Sequence, residues 1–205
     1  MGLHIHSLAE MPVDSERSFV LYFLDYGWDE PLSNALRNNF ARAADMASRG
    51  RFVVVRGTSS HFADEVLSWH GVNGRPSSQL LPALLVTNGT PAAFKGSIER
   101  FDDGDQSDSG TRWHVDERLV LIPLKELCAS ESDVVSVIQR LIEDIESGAE
   151  LRDFRVAEEM RRGEGESLQD ALVLQPNISG IGVDIPKLWS WLSGSIRRWR
   201  GRPES

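Results

Sequence analysis

Asp29 and Glu30 form an acidic pair directly after an apolar run, where a helix is predicted to begin. Two adjacent carboxylates can act as a general acid and base, or they can supply oxygen ligands to a metal ion. Acids in the first turn of a helix also accept hydrogen bonds from free N–H groups and complement the helix dipole. The position favours capping, and acid–base or metal chemistry is the alternative.

Cys128 is the only cysteine, so the chain cannot form an internal disulfide. A single cysteine becomes a nucleophile when a histidine and an acid converge on it, whereas a packed, unreactive thiol is the more common state. A lack of disulfides is typical of a reducing compartment. The sequence also shows no basic segment followed by an apolar run at its start, and no apolar stretch long enough to span a bilayer. We therefore expect a cytoplasmic protein.

Two groups of residues have the chemistry of metal ligands without the pattern of a metal site. His4 and His6 alternate as two ligands on one strand would, but no cysteine or carboxylate cluster lies beside them in the sequence. A calcium loop that started at Asp103 would need glycine at its sixth position and glutamate at its twelfth, where Asp108 and His114 stand. Motifs for nucleotide phosphates are also missing. We predict neither a metal centre nor a cofactor.

The overall composition is that of an ordinary globular chain. Its 205 residues are 40% hydrophobic and 26% charged, which is enough for one core with appendages. The formal net charge is −9, and a surface of that sign repels the phosphates of nucleic acids. General nucleic-acid binding is therefore excluded from the expected functions.

Four short apolar runs predict buried strands, because they are rich in aliphatic, β-branched and aromatic residues. The runs cover residues 18–24, 51–56, 80–87 and 118–124. Helical patterns follow the first, second and fourth runs, so the order is β-α-β-α-β-β-α. Strand-helix-strand steps favour parallel pairing, and the directly joined last two strands favour antiparallel pairing. The predicted fold is an α/β structure with a central mixed sheet.

The helix boundaries follow from capping and breaking residues. Pro31 is tolerated in the first turn of a helix, and Gly50 is typical of a helix end, so the first helix is predicted between them. Ser60 is a candidate cap for the second helix, and Ser130 or Ser132 for the third. The chain beyond the third helix is interpreted first as a polar, charge-rich helix and then as links to a C-terminal helix. The predicted division is an N-terminal extension at 1–17, an α/β domain at 18–147 and a C-terminal extension at 148–205.

Two local stretches in this order resemble the thioredoxin family. The segment Trp28-Asp29-Glu30-Pro31-Leu32 lies where thioredoxins carry Trp-Cys-Gly-Pro-Cys. Leu81-Pro82, followed by an Asn-Gly turn, resembles the segment in which a cis-proline opens the third strand. The resemblance implies a thioredoxin-like fold over about 18–147, a cis bond before Pro82, and a crevice formed by Trp28, Asp29, Glu30 and Pro82. Because Asp29 and Leu32 occupy the cysteine positions, thiol–disulfide exchange is excluded.

The C-terminal segment is basic and rich in tryptophan, unlike the acidic remainder of the chain. At helical spacing its apolar residues share one side, with arginines supplying positive charge. Such a helix can dock on a partner protein, lie on an anionic membrane surface, or fold back on its own domain. The residues predicted to bind a partner are Leu188, Trp189, Leu192, Ile196, Arg197, Arg198 and Trp199.

These observations predict a binding protein more than an enzyme. The first hypothesis is a redox-inactive, thioredoxin-like adaptor that binds another protein through the C-terminal helix, as an accessory component of a bacterial multi-protein system. The second is an enzyme that uses the crevice, with Asp29, Glu30 or Cys128 as the acting group. The third is a peripheral membrane protein held by the C-terminal helix.

Overall fold

A computed structural model describes residues 1–12, 17–28, 30–72, 76–89, 91, 119–163 and 173–174. Its strands are β1 (Gly2–Ile5), β2 (Phe19–Leu24), β3 (Phe52–Gly57), β4 (Ala83–Thr87), β5 (Leu119–Pro123) and β6 (Val173–Leu174). Its helices are α1 (Pro31–Arg49), α2 (Phe62–Trp69), α3 (Ser77–Leu80), α4 (Leu124–Leu127), α5 (Glu131–Glu146) and α6 (Arg155–Gly163). Two 3-10 helices cover Leu8–Glu10 and Leu151–Asp153.

The strands form one mixed sheet in the order β1-β3-β2-β4-β5-β6. β3 is parallel to both β1 and β2, as a strand-helix-strand connection requires. β4 is antiparallel to β5, so the expected pairing of the last two predicted strands is confirmed. β4 is also antiparallel to β2 and so runs opposite to β3, and the parallel arrangement expected for the second strand-helix-strand step is wrong. Residues 88–118 connect β4 with β5, and Thr87 pairs with Leu119 where the two strands part. The prediction of an α/β structure with a mixed sheet is confirmed, and the arrangement is compatible with a thioredoxin-like fold.

Each face of the sheet carries its own hydrophobic cluster, because alternate side chains of a strand point to opposite faces. On one face, Leu21 and Phe23 pack with the apolar stripes of α1 and α5. On the other face, Tyr22 and Leu24 pack with α2 and with Leu8. Helices on both faces leave β2, β3, β4 and β5 almost wholly buried, which explains their continuous apolar runs.

Residues 1–17, predicted as an extension, contribute the edge strand β1. The amide of Val54 donates to the carbonyl of Met1 at 2.9 Å, which continues the ladder to the first residue. Only Ile5 of the four β1 residues is buried. Gly2 lies so close to Ala44 of α1 that an added Cβ would come within 2.3 Å of the alanine methyl carbon. One buried side chain makes no periodic pattern, and this is why the sequence did not predict the strand.

The hydrophobic core continues beyond residue 147, the predicted end of the α/β domain. Leu151, Phe154, Val156 and Ala157 are almost completely buried and belong to the cluster beneath α1 and α5. The buried carboxylate of Asp144 also accepts hydrogen bonds from the backbone amide and Nε of Arg155, at 2.9 and 2.7 Å. The segment predicted as a polar helix is therefore a helix with one apolar face in the core.

The capping residues agree with the prediction at one helix and differ at another. Ser130 caps α5, and its hydroxyl and the Asp133 carboxylate form a reciprocal capping box. α1 begins after Glu30, whose side chain makes no capping hydrogen bond, and the other acid of the predicted pair, Asp29, lies outside the described residues. α2 begins after His61 instead of Ser60, again without a side-chain cap. Pro31 and Gly50 bound α1 as predicted.

Three predicted features lie outside the described residues. They are Asp29, the acidic stretch that includes Asp103, Asp108 and His114, and the C-terminal segment with Leu188, Trp189, Leu192, Ile196, Arg197, Arg198 and Trp199. Among the helices of the described part, none combines the length and apolar character needed to cross a bilayer.

Candidate functional site

The candidate site forms where the β2–α1 loop meets the start of β4 and the short helix α4. The Leu81–Pro82 peptide bond is cis, as the resemblance implies. Pro82 is buried, and its carbonyl accepts a hydrogen bond from the amide of Leu124 at 2.9 Å. This bond follows from the antiparallel register, which pairs Ala83 with Pro123. The ladder thereby places the first residues of α4 beside the proline segment.

Trp28 is the most exposed apolar residue of the site. Its side chain is 45% exposed and is the one large hydrophobic residue so exposed within the described residues. The Lys125 Nζ lies 5.7 Å from the centre of the indole ring, within the range of a cation–π contact. The ring of Tyr26 lies 5.1 Å from the indole, centre to centre. The indole is thus positioned by two neighbours and still presents nearly half of its surface to solvent.

Glu30 pairs with Lys125 instead of capping α1. The Lys125 Nζ lies 3.1 Å from the Glu30 carboxylate, and both side chains are 38% exposed. An exposed pair of this kind contributes little to stability, so its main consequence is to fix the lysine above Trp28. Of the predicted crevice residues, the structure brings Trp28 and Glu30 together through Lys125. Pro82 is buried and is connected to them through the hydrogen bond from Leu124, the residue before Lys125.

The loop that carries Trp28 is anchored from below by Arg37 of α1. The guanidinium donates to the carbonyl of Trp28 at 3.1 Å and to the buried carboxylate of Asp25 at 3.4 Å. Gly27 adopts a φ of 77°, a conformation that side chains disfavour. The loop thus turns at Gly27 and is held on both sides of that turn. Neither Arg37 nor Lys125 was predicted, since their role depends on contacts across the sequence.

Comparisons of this chain with protein-family models, with curated proteins and with solved structures find no match. The chemical character of the site therefore follows from its own residues. Trp28, Glu30 and Lys125 offer an aromatic face, a carboxylate and an ammonium, which are groups that bind. No thiol lies on either loop of the site.

The other candidate catalytic and metal-binding residues lie elsewhere. Cys128 is buried in the cluster beneath α5, and burial together with the nearby Asp133 carboxylate raises the pKa of its thiol to about 11. The ring of His4 packs against Phe40 at 4.5 Å. Within the described ranges no group of three or more histidine, cysteine or acidic side chains could hold a metal ion. These positions support a packing role for Cys128 and His4.

We expect Cys128 to react with a thiol reagent at least about a hundredfold more slowly in the folded protein than in guanidinium chloride. At pH 8 a thiol with a pKa of about 11 is ionised in roughly one molecule in a thousand, against about a quarter for an ordinary cysteine. The measurement is the rate of colour release from Ellman's reagent in both solvents. Rates within tenfold of each other would reveal an accessible, activated thiol and revive the nucleophile hypothesis.

Proposed function

We propose that this chain is a redox-inactive, thioredoxin-like protein that works by binding another protein, as an adaptor or accessory subunit of a bacterial multi-protein system. The observation that carries the proposal is the exposed Trp28 just before α1, in a chain whose Leu81–Pro82 bond is cis. The resemblance matches Trp28 to the tryptophan that precedes the reactive cysteines of thioredoxins, and here Asp29 and Leu32 stand at the cysteine positions.

The order of strands and helices supports the thioredoxin-like part of the proposal. A parallel β2-α1-β3 step is followed by a second helical connection to β4, which runs opposite to β2 and β3. An antiparallel partner, β5, and a helix that packs on α1 come next. The cis peptide bond opens β4, which is the strand that the resemblance assigns to it. Loss of both cysteines from such a framework leaves its shape and removes its redox chemistry.

The surface around Trp28 is suited to contact with a protein. Tryptophan and arginine dominate the energetics of protein interfaces, and a tryptophan buried at the centre of an interface often supplies much of the affinity. The flanking Glu30 and Lys125 give a polar rim with one charge of each sign. An aromatic centre with a polar rim matches the usual anatomy of a protein–protein contact.

The C-terminal segment is the second part of the proposed binding surface. Its sequence combines three tryptophans with a net positive charge, whereas the whole chain carries −9. A partner with an acidic, apolar groove would complement it. Because Trp28 and the C-terminal segment are separate elements, their contributions can be tested independently.

The Trp28→Ala variant is expected to bind the captured partner at least about tenfold more weakly than the parent protein, because it loses the exposed indole. Partners are first identified by affinity capture from a native bacterial lysate and mass spectrometry, using the full chain and a version that ends at Asn177. The affinity of each purified partner is then measured by calorimetry for the parent, Trp28→Ala and Arg49→Ala. Arg49 is the matched control, because its side chain is 79% exposed at the opposite end of α1.

Equal affinity of all three proteins for every partner would remove Trp28 from the proposed surface. If the full chain and the version that ends at Asn177 capture the same partners equally well, the C-terminal segment is not part of the proposed binding surface. If no partner is captured and the purified protein turns over a substrate, the adaptor proposal fails and the enzyme hypothesis replaces it.

A further inference from the structure

One buried carboxylate on the β2–α1 loop faces two guanidinium groups. The Asp25 side chain is 5% exposed, and its Oδ1 accepts hydrogen bonds from the Gly27 amide and from Arg37. Its Oδ2 lies 4.0 Å from Nε of Arg56 on β3. Arg37 already compensates the single negative charge at hydrogen-bonding distance. The cluster therefore has one positive charge in excess, and that charge resides on Arg56.

Arg56 has more donors than acceptors around it. Its side chain is 26% exposed, so the group is partly open to the solvent. A guanidinium carries five N–H donors, and within the described residues those of Arg56 make no hydrogen bond. No Arg56 nitrogen is buried without a partner, so these donors face water. The long contact with Asp25 leaves them open to an acceptor supplied from outside the chain.

Arg56 lines a cleft of about 140 Å³ between the β2–α1 loop and the β3–α2 loop. The cleft opens at the carboxyl ends of the parallel strands β2 and β3, the edge of an α/β sheet at which ligands commonly bind. Its polar lining also includes Gly27, Thr58, Ser59 and Ser60.

The β3–α2 loop brings three hydroxyl groups to this cleft, and the Ser60 hydroxyl is the one available as a donor within the described residues. The hydroxyls of Thr58 and Ser59 donate to the carbonyls of Ile5 and His6 over long distances of 3.4 Å. The Ser60 hydroxyl makes no hydrogen bond within the described part of the chain. The three side chains are consecutive and lie beside Arg56 in the same cleft.

The two acidic side chains on α2 accept hydrogen bonds from other parts of the chain. Asp64 accepts from the hydroxyls of Tyr26 and Ser77. Glu65 accepts from the hydroxyl of Ser7 at 2.7 Å and from the amide of Leu8 at 3.2 Å. Neither acid lines the cleft, so Asp25 is the one carboxylate in its described lining.

We propose that this cleft binds the phosphoryl group of a small phosphorylated ligand. Arg56 supplies a paired set of N–H donors to the phosphoryl oxygens, which is the geometry that guanidinium groups favour. The Ser60 hydroxyl supplies a further donor to the phosphoryl oxygens. A phosphoryl group spreads three oxygens in a tetrahedron and can meet both sides of the cleft, whereas a carboxylate has two in one plane. The volume leaves room for a small attached group.

Binding of inorganic phosphate and of phenyl phosphate to the full-length protein tests the proposal. Calorimetry and the shift in thermal unfolding temperature are measured in a buffer without phosphate or sulfate. The parent protein is compared with Arg56→Gln, Arg56→Lys, Ser60→Ala and the control Arg49→Gln. We expect saturable binding that weakens at least about tenfold in Arg56→Gln, less in Arg56→Lys and Ser60→Ala, and not at all in Arg49→Gln.

Several results would overturn the proposal. The absence of saturable binding would do so, as would an equal loss of affinity in Arg49→Gln, which would indicate a general charge effect. Competition by acetate at the same concentration as phosphate would refute the phosphoryl assignment. If Arg56→Gln does not fold, the Ser60→Ala variant tests the proposal, because Ser60 is exposed and lies outside the core. An unchanged affinity of Ser60→Ala for phosphate would then refute the proposed site.

Discussion

Replacing Phe154 with alanine is expected to lower the free energy of unfolding by about 3–5 kcal/mol. The side chain is fully buried between the second 3-10 helix and α6, and its ring lies 6.0 Å from that of Phe19 on β2. Truncation removes the transfer free energy of the ring and leaves a cavity in a densely packed region. Urea unfolding followed by far-ultraviolet circular dichroism at pH 7 provides the measurement.

The matched control is Arg152→Ala, in the same segment but with a side chain that is 56% exposed. Substitutions at such surface positions usually change stability by about 0.5 kcal/mol or less. A loss below about 1 kcal/mol for Phe154→Ala would mean that residues 151–160 pack only loosely on the domain. A large loss would establish that any fragment ending at residue 147 lacks part of its own core.

The second large effect is a loss of stability in acid that depends on His70. Burial lowers the pKa of His70 to about 4, and the hydrogen bond between its Nδ1 and the carbonyl of Val66 opposes that shift only in part. Above pH 6.5 the imidazole is neutral in the folded and unfolded chains and makes no pH-dependent contribution. Below pH 6.5 the unfolded chain gains the proton first, so the folded state loses about 1.4 kcal/mol per pH unit until about pH 4.

The measurement compares the parent protein with His70→Gln at pH 7 and at pH 4.5. The variant loses packing at both values, but it cannot titrate, so its deficit in unfolding free energy should shrink by about 2–3 kcal/mol at the lower pH. His6→Gln, at an exposed position, is measured beside it as the comparison. A constant deficit for His70→Gln would show that the imidazole is solvated in the folded chain.

The elements with strong local signals were predictable from the sequence. β2 and β3 are buried on both faces and therefore read as continuous apolar runs, which fixed their positions to within a residue. Ser130 and Asp133 lie at the spacing of a capping box, and the apolar stripe of α5 follows directly. In each case the residues that stabilise the element lie within the element itself.

The features that escaped prediction depend on contacts between distant parts of the chain. β1 is an edge strand with one buried residue, and α6 buries small or isolated apolar residues among charged ones. Capping of α1 was expected from the acidic pair that includes Glu30, but the Glu30 carboxylate pairs with Lys125, almost a hundred residues later in the sequence. The excess charge on Arg56 is visible only once Arg37 and Asp25 are placed beside it. Residues close in sequence can be predicted to cap a helix. A distant residue that binds the same side chain in the folded protein cannot be predicted in this way.

The connection between β4 and β5 starts and ends on a single rung of the sheet, because Thr87 pairs with Leu119. The entropy of closing a loop grows only with the logarithm of its length. Since strand pairing already holds the two ends together, a longer or shorter connection changes the entropy of closing this loop little. Asn88 and Gly89, a pair that favours tight hairpin turns, stand directly after the rung. The β4–β5 connection is therefore a position at which a segment can be inserted or exchanged while the pairing of β4 with β5 is kept.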